Sequence, residues 1–228
     1  MIAQERCVSV KLRHEHYLDR WLGLYQLDRY KIWLFKGLLR ILRRYVSNGR
    51  ILDLGCAKGY LVEMLNLNGY SAIGVDISLT ALRNGVRNVD KVRSDAENIP
   101  FRDCSFDGVF AVHTLEHFPN PYSAVSEVFR VLKPGGCFLA VTPDKDSLIA
   151  KLGYKVVKYT ALKNPYHVSL MNRRELKDLV RKAGFSEFAI LPFHNGFLGT
   201  PFIGFIPIPI STRILIPFSH HQLLIAIK

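Results

Sequence analysis

Short apolar runs alternate with amphipathic segments through the central part of the chain. Arg50 to Leu54 and Ser71 to Asp76 are mostly aliphatic, which is typical of strands buried on both faces. Tyr60 to Leu67 repeats its apolar residues at three- and four-residue spacings, and this predicts a helix that ends near Gly69. A strand, a helix and a second strand in this order indicate a parallel α/β sheet.

The same alternation continues to the end of the chain, with Asn120 and Asn172 as caps of two further helices. Upstream, the spacing of apolar residues over about 15–46 predicts a basic amphipathic helix. We therefore expect a single domain over residues 1–228, with a helical N-terminal cap over 1–46. Further strands are predicted at 91–94, 106–112, 137–141, 185–191 and 222–228.

Composition agrees with a folded domain, since 49% of residues are hydrophobic and 22% are charged. The net charge of +12 favours anionic partners such as RNA, an acidic membrane surface or phosphorylated metabolites, although many basic proteins bind none of these. The four cysteines form no C-x-x-C pair, and the start lacks a signal-peptide pattern, so we expect a reduced, cytoplasmic protein. No proline-free apolar run is long enough to span a bilayer.

The first predicted strand runs into a glycine-containing turn, Asp53-Leu-Gly55-Cys-Ala57-Lys-Gly59. A dinucleotide fingerprint would need glycine at 57 and 60, and a P-loop would need Gly-Lys-Ser/Thr at its end, so neither fits. The pattern D-x-G-x-A-x-G resembles motif I of the class I S-adenosylmethionine (SAM) dependent methyltransferases. Ala57 in place of the middle glycine is a mild departure, because a methyl group is the smallest intrusion on a close backbone approach.

Later segments extend this resemblance to small-molecule methyltransferases of the type 11, ubiquinone and menaquinone biosynthesis kind. They are Asp95-Ala-Glu-Asn-Ile-Pro-Phe101 and Val128-Phe-Arg-Val-Leu-Lys-Pro-Gly-Gly136. The resemblance implies a Rossmann-like α/β fold with a seven-stranded, mostly parallel sheet, the last strand antiparallel, and helices on both faces. It implies S-adenosyl-L-methionine as cofactor.

An acid about twenty residues past the glycine turn is placed to accept both ribose hydroxyls, and Asp76 stands there. By resemblance, Asp95 would accept from the adenine amine and the Ala96 N–H would donate to a ring nitrogen. The residues that we predict to bind the cofactor are Asp53, Gly55, Cys56, Ala57, Gly59, Asp76, Ile77, Asp95, Ala96 and Val112.

The segment His113-Thr-Leu-Glu-His117 matches an inverted zinc motif, H-x-x-E-H. That motif needs one continuous helix, whereas this segment begins at a strand end and soon meets Pro119 and Pro121, so we predict no metal site. The resemblance instead places it beside the sulfonium and the acceptor. His113 is therefore a predicted catalytic residue, and His117 is a weaker candidate. The resemblance also places His167 near the acceptor, where it is the predicted catalytic base; a histidine that only fixes a loop is the alternative for His117 and for His167.

Two segments, 143–168 and 195–219, are predicted insertions on the acceptor side, the first basic and aromatic, the second apolar and rich in proline. We therefore expect a small-molecule methyl acceptor, aromatic or lipid-like. Peripheral membrane contact and a homodimer are alternative uses of the apolar segment.

Two other functions are alternatives to a small-molecule methyltransferase. RNA methylation is not favoured, because strand four does not end in Asn/Asp-Pro-Pro-Tyr. A non-catalytic SAM-binding protein is the third hypothesis. In the family that the chain resembles, N-terminal helices often close over the cofactor, so Tyr17 and Trp21 are further candidates for the cofactor pocket.

Overall fold

Seven strands form one sheet in the order β3-β2-β1-β4-β5-β7-β6. The computed structural model describes residues 29–147, 164–193 and 221–228. The strands are β1 (Arg50–Leu54), β2 (Ser71–Asp76), β3 (Asp90–Arg93), β4 (Phe106–Val112), β5 (Leu132–Pro143), β6 (Glu187–Phe193) and β7 (His221–Ile227).

The direction of the strands confirms the predicted fold class. β3, β2, β1, β4 and β5 pair in parallel, and β7 lies antiparallel to both β5 and β6. This order reverses direction along the sheet at β1, which is where open α/β sheets bind ligands beyond the carboxyl ends of their strands.

Helices cover both faces, as predicted. They are α1 (Arg29–Leu42), α2 (Tyr60–Leu67), α3 (Leu79–Arg83), α4 (Pro121–Val131) and α5 (Arg173–Lys182). On one face α1 and α2 pack on Ile51 of β1, and on the other α4 and α5 contribute to the cluster that contains Leu52 and Leu54. Because successive strand residues alternate between faces, Asp53 shares the face of Ile51, towards α1 and α2.

Local sequence explains the ends of these helices. The Asn120 side chain accepts from the N–H of Ser123, and Pro121 opens α4. Asn172 and Glu175 form a capping box at the start of α5. Both caps were predicted from the sequence. Each satisfies backbone N–H groups that have no partner inside the helix.

Strand β5 begins at Leu132, five residues before the predicted start at Cys137. The pairing shifts from Phe106↔Leu132 to Gly108↔Cys137, so the Lys-Pro-Gly-Gly segment is a bulge within the strand. The sequence shows turn residues at this point, but it does not show that a neighbouring strand pairs with the residue before them.

Several predictions concern residues outside the described ranges. They are the pocket roles of Tyr17 and Trp21, the first half of the N-terminal helix, most of the 143–168 insertion and all of 195–219. Among the described helices, none has the length and apolar character needed to cross a membrane.

Candidate cofactor and acceptor site

The turn after β1 is fastened to the end of β2 by its own backbone. The N–H groups of Gly55 and Cys56 both donate to the carbonyl of Val75, at 2.8 and 3.0 Å. The N–H of Ala57 donates to Oδ2 of Asp76 at 2.8 Å, and the N–H of Gly59 donates to the carbonyl of Cys56. Since these four donors already have protein acceptors, the turn is not shaped as a phosphate cradle.

Two residues of the turn need unusual backbone conformations. Gly55 has φ +78°, and a Cβ there would lie 2.3 Å from Cγ2 of Thr114, so no larger residue fits. Ala57 has φ +47°, a left-handed conformation that costs an L-residue about 1 kcal/mol. The turn therefore tolerates some strain at the position where the family pattern has glycine.

Asp76, at the end of β2, is held rigidly in place. Its Oδ2 accepts from Ala57 and its Oδ1 accepts from the N–H of Ser78 at 2.8 Å. The carboxylate is 8% exposed. A carboxylate oxygen has two lone pairs, so this group is of the acceptor type that the predicted contact with ribose hydroxyls requires.

Asp53 is the most perturbed acid of the site. Its side chain is 3% exposed, and burial together with the nearby Asp76 carboxylate raises the pKa of Asp53 to about 8. With this pKa, Asp53 is largely protonated at neutral pH beside the Asp76 carboxylate, and a bound cation would favour its ionised form. The site therefore favours a positively charged nucleoside over a phosphorylated one.

A small cavity lies beside this turn. Its lining contains four predicted cofactor residues and three that the sequence reasoning missed: Asp53, Gly55, Cys56 and Val112, with Phe35, Tyr60 and Leu61. Tyr60 and Leu61 directly follow the motif, so their position in the sequence could have identified them as cavity residues. Phe35 belongs to the apolar stripe of α1, and no local feature of the sequence shows that this stripe reaches the site.

Cys56 lines the cavity as a neutral thiol. Burial, followed by the charges of Asp53 and Asp76, raises the pKa of the Cys56 thiol well above its usual value. Its side chain packs against β2, since a Cβ on Gly74 would lie 2.5 Å from the sulfur. Cys56 therefore shapes the site and is not a nucleophile.

The predicted adenine contacts lie one strand further along the same edge. Oδ1 of Asp95 accepts from the N–H of Glu97 at 3.1 Å, which orders the turn after β3. Ala96 is 8% exposed and packs into the core. The carbonyl of Ile77 accepts from the Arg93 side chain. None of these three residues lines the cavity described above, and their cofactor contacts stay predictions.

A buried carboxylate surrounded by histidines lies at the end of β4. Glu116 is 1% exposed, its Oε2 accepts from the Thr142 hydroxyl at 3.1 Å, and its Oε1 is 3.6 Å from Nδ1 of His113. The ring of His113 meets the ring of His221 at 4.7 Å in an edge-on contact. Thr114, the neighbour of His113, is the residue that touches Gly55, so this group and the cofactor turn share a border.

His117 and His167 approach the same carboxylate. One ligand-capable atom of each of Glu116, His117 and His167 lies within 4.8 Å of the other two. The structure thus brings both predicted catalytic histidines, His113 and His167, to Glu116. The sequence analysis gave Glu116 no role of its own within the His113–His117 segment, because its burial is not visible in the sequence.

The charges of this group follow from its surroundings. Burial opposes ionisation of Glu116, but the hydrogen bond and charge of His113, with the charges of His117 and His167, lower its pKa. Burial lowers the pKa of His117, and the Glu116 charge only partly offsets this. An ionised carboxylate beside a neutral imidazole is the resulting arrangement at neutral pH.

Comparison with known proteins identifies the class of protein to which this chain belongs. The sheet with its antiparallel last strand matches a Thermotoga maritima structure described as a SAM-dependent methyltransferase, possible histamine N-methyltransferase, with a TM-score of 0.65, 24% identity, and coverage of 93% of this chain and 99% of that one. Residues 25–187 match the family model described as a methyltransferase domain. The chain belongs to this family of class I SAM-dependent methyltransferases, and its cofactor is S-adenosylmethionine.

Two curated relatives illustrate the range of the family. A probable SAM-dependent methyltransferase of Mycolicibacterium smegmatis is 32% identical over 65% of this chain and 56% of its own length. Sterol 24-C-methyltransferase of Schizosaccharomyces pombe is 28% identical over 76% of this chain and 44% of its own length. The chain spans about half the length of these curated relatives. The predicted subfamily stays a prediction.

The residues at the turn suit this cofactor. SAM carries a sulfonium and an ammonium group, and the raised pKa of Asp53 indicates a carboxyl group that no cation among the described residues neutralises. Asp76 is held with acceptor capacity for a ribose, and the turn offers no cluster of donors for a phosphate. The charge and the hydrogen-bonding capacity of the turn therefore both fit SAM.

Proposed function

We propose that the protein transfers the methyl group of SAM to a small, lipid-like or aromatic acceptor. The observation that carries this proposal is the pair of buried carboxylates, Asp53 and Asp76, at the anchored turn. The cofactor supplies a methyl group on a positively charged sulfur, and the acceptor takes it by in-line displacement. Catalysis of this kind depends mainly on the positioning of the two reactants.

Each residue of the turn has a role in that positioning. Asp76 would hold the ribose, Asp53 would face the cationic amino acid part, and Asp95 and Ala96 would meet the adenine. The aromatic side chains of Phe35 and Tyr60 line the cavity and would exclude water from the methyl group. His113, on the border between this turn and the Glu116 carboxylate, would contact the acceptor.

A lipid-like acceptor is supported by the opposite side of α1. Phe35 of this helix lines the cavity, while Lys36 and Arg40 are exposed on its outer side and Arg43 and Arg44 are exposed just after its end. Lys36, Arg40 and Arg43 also border a groove with Leu39 and Met64 in its lining. Cationic side chains around an apolar floor suit the anionic headgroups of a membrane surface, each contributing about 1 kcal/mol.

Exposed apolar residues lie close to these charges. Leu67 is 81% exposed and Tyr45 is 47% exposed, and Arg43 donates to Oδ1 of Asn68, the residue after Leu67. A basic surface with protruding apolar side chains is typical of proteins that rest on a bilayer. The sterol substrate in the name of the fission yeast relative agrees with an acceptor that resides in membranes.

The first test is binding. Thermal unfolding is followed with SAM, S-adenosylhomocysteine, NAD and ATP, each in excess; a ligand at a hundred times its dissociation constant adds about 2.7 kcal/mol. We expect SAM and S-adenosylhomocysteine alone to raise the midpoint. Methyl transfer from radiolabelled SAM is then measured with sterols, fatty acids, quinols, phenols and bulk RNA. Transfer to RNA alone would overturn the acceptor class, and transfer to none would favour a SAM-binding protein.

The membrane contact has its own test. Sedimentation with vesicles of anionic and of neutral lipid is compared for the wild type, Arg40→Glu/Arg44→Glu and the control Arg174→Glu/Lys177→Glu on the exposed side of α5. The two double variants change the net charge equally. We expect only the α1 variant to lose binding to anionic vesicles. Equal loss in both variants would show a general charge effect and would refute the α1 surface.

A further inference from the structure

The cluster of Glu116, His117 and His167 has the composition of a metal site. The first two residues follow β4 in a short 3-10 helix (Leu115–His117), and the third precedes α5. Their ligand-capable atoms lie within 4.8 Å of one another, and Glu116 is buried. Ligand atoms around a bound zinc ion lie somewhat closer, because each bond is about 2 Å long, so small side-chain rotations would complete the site.

Hydrogen bonds hold the two segments together in this arrangement. The N–H of Ser169 donates to the carbonyl of Glu116 at 3.1 Å, and its hydroxyl donates to the carbonyl of Phe118 at 2.7 Å. Asn164 accepts from the N–H groups of Tyr166 and His167 and so fixes the turn that presents His167. The cluster is therefore built by the fold and does not depend on a chance contact of surface side chains.

The orientation of His117 is that of a metal ligand. Its Nδ1 lies 3.0 Å from the carbonyl of Tyr166. A carbonyl can only accept, so Nδ1 carries the hydrogen, and the neutral ring keeps a lone pair on Nε2. Histidines that bind metals almost always donate their other ring N–H in this way. The Thr142 hydroxyl orients the Glu116 carboxylate in the same supporting manner.

His113 has a different position from the one that the H-x-x-E-H pattern would require. Its φ is +54°, and only its Nδ1 approaches Glu116, at 3.6 Å. His113 therefore does not share a helix with Glu116 and His117, as an inverted zinc helix would require. The third ligand comes instead from His167, fifty residues beyond His117, and no local pattern connects the two.

We propose that Glu116, His117 and His167 bind a divalent transition-metal ion, with zinc as the expected ion. Two imidazoles and one carboxylate suit zinc or iron and disfavour magnesium and calcium, which prefer oxygen ligands. Three protein ligands leave a position for water or for an acceptor oxygen. This assignment replaces the base role of His167 and the expected absence of a metal, and it does not depend on the acceptor class.

The test measures metal binding directly. Untagged protein is stripped with a chelator, and Zn²⁺ is titrated in competition with a chromophoric chelator. We expect one equivalent bound by the wild type, with at least hundredfold weaker binding by His167→Ala and Glu116→Gln. His221→Gln is the matched control, since it removes a histidine at the same edge from outside the cluster and should change the affinity less than threefold. A wild-type dissociation constant above 1 mM, or equal binding by His167→Ala, would overturn the proposal.

A second readout does not depend on the variants. Co²⁺ added to the stripped wild type should give visible bands of a four- or five-coordinate site with nitrogen ligands, and one equivalent of Zn²⁺ should remove them. A spectrum indistinguishable from that of aqueous Co²⁺ would refute the site even if the variants failed to fold. S-adenosylhomocysteine binding checks the fold of each variant, because the cofactor turn uses none of the three residues.

Discussion

The two halves of the site are built in different ways. The cofactor turn is almost continuous in sequence, and its N–H groups, carboxylates and glycines lie within residues 53–76. The acceptor half, which is Glu116 with the groups around it, combines side chains from the segment after β4, from β5, from the segment before α5 and from β7. One half is anionic and anchored by its own backbone, and the other is a carboxylate surrounded by imidazoles.

This difference separates the tasks of the two halves. A fixed anionic turn can discriminate charge and shape in a cofactor that is the same for the whole family. A cluster assembled from separate loops can change with each acceptor, because each loop contributes only one or two residues. The halves meet at the contact between Gly55 and Thr114.

The largest effect is expected at that contact. Gly55→Ala would place a methyl group 2.3 Å from Thr114 Cγ2 at a φ of +78°, and overpacking with left-handed strain should cost about 4 kcal/mol of unfolding free energy. Combining it with Thr114→Ala should recover about half of the loss, since part of the clash is removed. Urea unfolding of the two single variants and the double variant measures this coupling, and additive losses would show that the halves do not touch.

The next effect concerns Asp53. Its pKa is about 8 in the folded protein, against 3.8 for an aspartate exposed to water, so between these values the native state holds a proton that the unfolded state has lost. Stability therefore falls as pH rises from 4 to 8. Asp53→Asn cannot ionise, and we expect it to stabilise the ligand-free protein by about 5 kcal/mol at pH 8 and little at pH 4.

Urea unfolding across this pH range checks the slope, with the exposed Asp90→Asn as the control for net charge. The same substitution at Asp53 should weaken SAM binding, because it removes the carboxylate that would face the cation under the proposed function. A gain in stability that is equal at pH 4 and pH 8 would contradict the assigned pKa.

Substitutions at Asp76 and at His167 should affect different steps, namely SAM binding and methyl transfer. Asp76→Ala loses two charge-assisted acceptors and the anchor of Ala57, so we expect SAM to bind about a hundredfold more weakly. His167→Ala should change SAM affinity less than twofold while lowering the rate of methyl transfer. Calorimetric titration and single-turnover rates measure the two effects, and equal binding losses would remove the division between the halves.

The predictability of each half follows from its construction. The positions of Asp53, Gly55 and Asp76 at one edge of the sheet could be predicted, because spacing along one strand-turn-helix unit determines their geometry. The mostly parallel sheet with its antiparallel last strand followed from the alternation of elements and the resemblance. The predicted start of β5 was wrong, because pairing between strands, and not local propensity, determines where a bulged strand begins.

The acceptor half was predictable only residue by residue. His113 and His167 were selected as candidates, but the sequence separates them by more than fifty positions and does not show that both approach Glu116. Nor does it show that Phe35 of α1 reaches the cofactor cavity. Such contacts depend on how loops pack at the sheet edge, which carries no periodic signal.

The smallest effect tests backbone strain in both halves. Ala57 in the turn and His113 in the cluster have φ values of +47° and +54°. Ala57→Gly relieves strain and keeps the N–H that Asp76 accepts, so we expect a gain of about 0.5 kcal/mol in unfolding free energy, after the entropy cost of glycine, with unchanged SAM affinity.

His113→Gly relieves the same strain but removes the contacts with Glu116 and His221, so it should lose stability overall. Urea unfolding compares the two substitutions directly. If both stabilise equally, the His113 side chain contributes nothing to the folded cluster, and its conformation would then serve the acceptor alone.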